Sequence, residues 1–235
     1  MQKIVILLGI LTLFLGGCGN RQAKTTNNEL VGEEVISAQN DVMYRILSQN
    51  EVEQLFTDGI KKTFGIQYPI WRVFAYNDNL GEHRIVLTEN VSVQPNNNAY
   101  ANNDTVRLNI KAFFFRLENN TLTKEREMYD FAKDGEASIW FWTKYCDFSD
   151  IDGDGLVDPI IVYGTKSPDD SSPYRVNILV YYKGEKYAQR HTDGDLDFFR
   201  STQIDETFHT LPKVIQERVK NITEEMIKNR HVLEW

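Results

Sequence analysis

Polar and apolar residues alternate through most of the middle of this chain, and the period lengthens to that of a helix near either end. Val52, Leu55, Phe56, Ile60 and Phe64 recur at three- and four-residue spacing, which puts them on one helical face. Ser48 and Glu51 have the spacing of a capping box, and Gly65 offers a left-handed stop, so residues 48–65 are expected to form one helix of about four turns. A second stripe, Leu211, Val214, Ile215, Val219, Ile222 and Met226, is opened by Thr210 and Pro212 and predicts a closing helix.

Between these stripes, runs rich in β-branched and aromatic residues are separated by turn residues, the signature of hairpins. Segments 69–76 and 83–88 flank a turn at 77–81, and 106–117 and 121–127 flank Asn119-Asn120. A third pair, 139–145 and 159–163, encloses an acidic loop, and a fourth, 175–182 and 186–191, flanks Lys183-Gly184-Glu185. Residues 195–199 are expected to add an edge strand, and the asparagine-rich stretch 89–104 to form a loop suited to displaying a binding surface. Successive hairpins with two packing helices predict an α+β domain with a mainly antiparallel sheet. No repeat of propeller length is present.

The acidic loop carries the clearest chemistry. Asp150, Asp152, Asp154 and Asp158 stand at positions 1, 3, 5 and 9 of a calcium-binding turn, the Leu156 carbonyl at 7, and Gly155 at the sharp bend at 6. Calcium takes oxygen ligands, and four in-phase aspartates around glycines supply them, whereas without a cation their charges repel. Position 12, where a helix-flanked calcium sensor places a bidentate glutamate, holds Ile161, and both flanks have strand character. The expectation is therefore strand, calcium turn, strand, with Ca2+ as a structural ion.

Location is read from the other end. Met1-Gln2-Lys3 and a nearly uninterrupted apolar run from Ile4 to Phe14 form a leader too short to span a bilayer. It ends in Leu15-Gly16-Gly17-Cys18, which resembles the bacterial lipobox and implies cleavage before Cys18 and lipidation of that cysteine. Gly19, where the enterobacterial sorting pattern would place an aspartate for inner-membrane retention, implies outer-membrane delivery; the periplasmic or outward face is not legible. Residues 1–17 are thus a signal peptide, 18–28 a lipidated cysteine and flexible tether, and 29–235 a single domain.

Composition narrows the functions. A formal charge of -8 without a basic cluster argues against nucleic acid and anionic headgroups as partners. With Cys18 lipidated, Cys146 has no disulfide partner and reads as a buried, inert thiol. His83, His191, His209 and His231 have no ligand spacing and are expected at surfaces or interfaces. Asp193, Asp195 and Asp197 alternate, leaving two readings open: a second cation site or a solvated turn. Trp140 and Trp142 share one strand face and Phe141, Thr143 and Tyr145 the other; with one face in the core, the other either shows an aromatic surface able to stack on sugar rings or packs beneath a helix.

The acidic loop resembles the D-x-D-G-D-G-x-x-D turns of FG-GAP, VCBS and EF-hand-like repeats, where the metal staples a hairpin. Taken with the lipobox, residues 138–145 and Leu211-Pro212-Lys213, most of the mature chain resembles a little-characterised family of bacterial envelope lipoproteins, some labelled with surface polysaccharide biosynthesis. The resemblance implies an envelope process rather than a reaction, and the expectation is a membrane-anchored, calcium-binding, non-enzymatic protein with a glycan or protein partner. An envelope-glycan hydrolase and an immunity-type inhibitor of a basic toxin are the alternatives.

Overall fold

Hairpin turns set the topology. The computed structural model describes residues 44–94, 104–168 and 173–232, all within one unit, Glu33–Trp235. The signal peptide, Cys18, the tether and residues 95–103 of the expected display loop lie outside the described residues.

Asn119 and Asn120 have φ of 48° and 60°, and Lys183 and Gly184 have 46° and 85°, so both pairs make the left-handed two-residue turns whose twist matches flanking strands. The strands form two five-stranded sheets, every pairing antiparallel. The first contains β1 (Arg45–Ile46), β2 (Ile70–Asp78), β3 (Gly81–Gln94), β4 (Asp104–Glu118) and β5 (Thr121–Phe131) in that order. The second contains β6 (Ser138–Phe141), β7 (Ile160–Lys166), β8 (Tyr174–Tyr182), β9 (Glu185–Asp193) and β10 (Ser201–Ile204), again in chain order. With helices α1 (Gln49–Leu55), α2 (Asp58–Phe64) and α3 (Lys213–Lys228), the fold is α+β and mainly antiparallel, as the pattern predicts.

Alternation along β4 divides the core. Phe113 and Phe115 join the cluster that receives Phe56, Val52, Ile60 and Phe64 of the α1–α2 segment, with the Phe64 and Phe115 rings 4.9 Å apart. Ile110, Ala112 and Phe114 point the other way, into the larger cluster shared with the second sheet, where Phe114 meets Tyr181 of β8 at 4.7 Å. The same cluster takes Ile215, Val219, Ile222 and Met226, the buried face of α3.

Four expectations are corrected. The helix over 48–65 is two helices. The capping box forms as expected, but α1 ends at Leu55 and Thr57 caps α2, its hydroxyl accepting from the Ile60 N–H at 3.4 Å. Both pieces face one cluster, which is why the apolar period runs through the break. The strand expected over 139–145 stops at Phe141 and tightens into a 3-10 turn, Thr143–Tyr145. Residues 195–199 hold a 3-10 turn, and the edge strand is β10 instead. Within the stretch 89–104 expected as a loop, β3 and β4 instead remain paired out to Gln94 and Asp104.

Candidate metal centre

The acidic loop hangs from a closed neck. Beyond the 3-10 turn the chain re-pairs, Asp147 and Ile160 exchanging both backbone hydrogen bonds at 2.9 and 2.7 Å, and the Asp158 N–H donates to the Ser149 carbonyl at 2.9 Å. Asp150 and Asp158 therefore enter the loop side by side, both buried.

Asp150 organises the turn. Its Oδ1 accepts from the N–H groups of Gly153 and Asp154 at 2.8 and 3.1 Å, and its Oδ2 from Gly155 at 2.8 Å. Gly153 and Gly155 turn these donors inward with φ of 76° and 88°, a region where a Cβ is unfavourable. Asp158 Oδ2 accepts from Ile151 at 3.0 Å and Asp152 at 3.4 Å. Asp152 Oδ1 accepts from Asp154 at 3.2 Å, and its Oδ2 from the Tyr182 hydroxyl at 3.0 Å.

Asp150, Asp152 and Asp158 each present a carboxylate oxygen within 4.8 Å of the others. Opposite oxygens of a calcium shell lie about 5 Å apart, so one such ion fits this donor set, and an all-oxygen set suits a hard cation. These three residues would hold it. Asp154 stands apart: its Oδ1 accepts from Leu156 N–H at 3.0 Å and its Oδ2 pairs with Lys183 Nζ at 3.0 Å. Leu156, expected to offer its carbonyl, thus enters the network through its N–H.

The electrostatics follow from burial and crowding. Burial, with the nearby charges of Asp152 and Asp154 adding to it, pushes the Asp158 carboxyl up to about 7 against the lowering pull of the Ile151 and Asp152 N–H groups. The Lys183 ammonium holds Asp154 below the usual carboxylate range. A divalent cation would relieve the crowding at Asp158 directly.

Loop and first sheet are joined by residues that the motif does not contain. In the β2–β3 turn, Asn79 N–H donates to the Gly155 carbonyl at 2.9 Å, and Asp78 Oδ2 accepts from Val157 N–H at 3.3 Å. Asp78 Oδ1 accepts from Leu80 N–H at 2.8 Å and lies 3.1 Å from Nε2 of His83, whose ring stacks on Tyr76. Asp78, Asn79, Tyr182 and Lys183 are visible in sequence only as turn residues and an aromatic; nothing local says that they meet the loop.

Other candidates resolve individually. His83 and His191 are buried, not at the surface, because both sit on inward strand positions; burial drives the His191 imidazole down to about 4. Asp193, Asp195 and Asp197 do not share a strand face, since β9 ends at Asp193. Asp193 is fully buried and accepts from Tyr174 OH at 2.7 Å, while Asp197 pairs with Arg200 at 3.0 Å. Cys146 is buried, its thiol pushed up to about 12 by desolvation, and Sγ accepts from Val162 N–H at 3.3 Å. Trp140 and Trp142 are half-buried and line a cavity. Compared with protein-family models, curated proteins and solved structures, the chain matches none of them.

Proposed function

We propose that this protein is a calcium-binding lipoprotein of the bacterial cell envelope, anchored through Cys18 to the outer membrane, with a non-enzymatic role in binding an envelope glycan or protein partner. The observation that carries the metal is the convergence of Asp150, Asp152 and Asp158 in a loop whose backbone is already wrapped around them. The ion is structural: the loop joins β6 to β7 and is tied to the β2–β3 turn, so a cation there tightens both the hairpin and the contact between sheets. The anchor rests on the Leu15-Gly16-Gly17-Cys18 lipobox.

Isothermal titration of the purified chain with calcium tests the metal. One site is expected, with binding lost in the Asp152→Asn/Asp158→Asn variant; equal heats in both proteins would refute it. Labelled palmitate tests the anchor, and incorporation that persists in Cys18→Ser would rule it out.

A further inference from the structure

At the end of β7 remote from the acidic loop lies a cavity of about 700 Å³, in the range of small-ligand sites. Its aromatic wall is built with care. Trp140 and Trp142 have ring centroids 6.1 Å apart, tilted by 35°. The Trp142 indole lies against Gly164, where a Cβ would come within 2.7 Å of the ring and 2.8 Å of the Arg175 carbonyl, so glycine is what lets the indole settle on β7. The Tyr145 ring lies 6.3 Å from that of Trp142, and its hydroxyl is fixed by His231 Nδ1 at 2.7 Å and by the Asn229 amide at 3.0 Å.

The charge at this cavity opposes that of the chain. In a protein of formal charge -8, the lining includes Lys144, Lys166 and Arg230 against a single carboxylate, Asp195. Lys144 pairs with Glu225 at 3.6 Å, whereas Lys166 and Arg230 make no ion pair among the described residues. Arg230 is also held at φ 57°, a left-handed position that helix ends usually give to glycine, and its N–H caps α3 on the Ile227 carbonyl.

Each feature selects for a ligand. Indole faces favour an apolar ring face, unneeded by a bare inorganic anion; cations favour a negative group. Asp195 would repel that group but accepts from hydroxyls, which a simple aromatic acid lacks. A pyranose carrying a carboxylate meets all three demands. We propose that this cavity binds an acidic saccharide, its ring against Trp140 and Trp142 and its carboxylate toward Lys166 and Arg230, an inference that deepens the envelope-binding role proposed above.

The full chain, purified in detergent, is titrated calorimetrically with tetragalacturonate, with maltotetraose as the uncharged counterpart and AMP as an aromatic anion. Tetragalacturonate is expected to bind at one site, about tenfold or more tighter than maltotetraose, and to weaken as salt rises. Trp140→Ala, at a half-buried position, should cost roughly tenfold while the melting temperature is retained. Lys166→Gln/Arg230→Gln should bring the acidic ligand to the level of the neutral one. No tetragalacturonate binding, no preference over maltotetraose, tighter binding of AMP, or affinity unchanged in both variants would each overturn the assignment. The broader binding role is tested separately: if an envelope extract captures Trp140→Ala as well as the wild type, that role stands while the cavity assignment fails.

Discussion

Two regions at opposite ends of β7 are put together in contrasting ways. Residues 150–158 fold on themselves, aspartate oxygens taking the N–H groups of residues two to seven positions away, so the arrangement is written almost entirely in consecutive sequence. The aromatic cavity draws instead on β6 and the turn after it, the end of β7, the start of β8, Asp195 and the residues beyond α3. The first region is held by hydrogen bonds to charge, and the second by shape, with one glycine making room for an indole. Sites of the first kind tolerate changes in their surroundings but not in their acceptors; those of the second kind depend on volume at positions with no chemistry of their own.

The largest expected effect falls on the loop's acceptor. Asp150→Ala removes three backbone hydrogen bonds to a buried carboxylate and should cost about 3 kcal/mol even in EDTA, followed by urea unfolding. An effect near zero would mean that metal alone organises the loop. Gly164→Ala comes next, at about 2 kcal/mol, because the added methyl meets the Arg175 backbone as well as Trp142. Its tryptophan emission should shift too, and an unshifted spectrum would show that the indole is not seated on β7. Asp154→Asn should change apo stability by less than about 0.5 kcal/mol, since its pair with Lys183 is solvent-exposed. A cost as large as that of Asp150→Ala would erase the distinction between organising and peripheral aspartates.

The same contrast explains what could be seen in the sequence. Turns Asn119-Asn120 and Lys183-Gly184, the Ser48–Glu51 capping box and the stripe of α3 are local patterns, and the structure places them as expected except for Val214, which is exposed. Convergence of Asp150, Asp152 and Asp158 follows from their spacing in one loop. What needed the third dimension was missed. Apolar periodicity could not show that Thr57 restarts the helix, because Phe56, Ile60 and Phe64 all reach the same cluster. Burial of His83 depends on Asp78 across the β2–β3 turn, and the alternation of Asp193, Asp195 and Asp197 implied a strand that stops at the first of them. His231 reaches Trp142, and Arg230 the same cavity, only because α3 ends where it does, beside the second sheet.

Thermal unfolding of the purified chain in EDTA, in about 1 mM calcium and in the same concentration of magnesium, beside Asp152→Asn/Asp158→Asn, tests the central claim most directly. For an affinity near 0.1 mM the ion adds about 1.4 kcal/mol, so the midpoint should rise by roughly 3 to 6 °C in calcium, little in magnesium, and not at all in the variant. No rise in calcium, or the same rise in the variant, would contradict it and leave residues 150–158 as a self-bonded acidic turn.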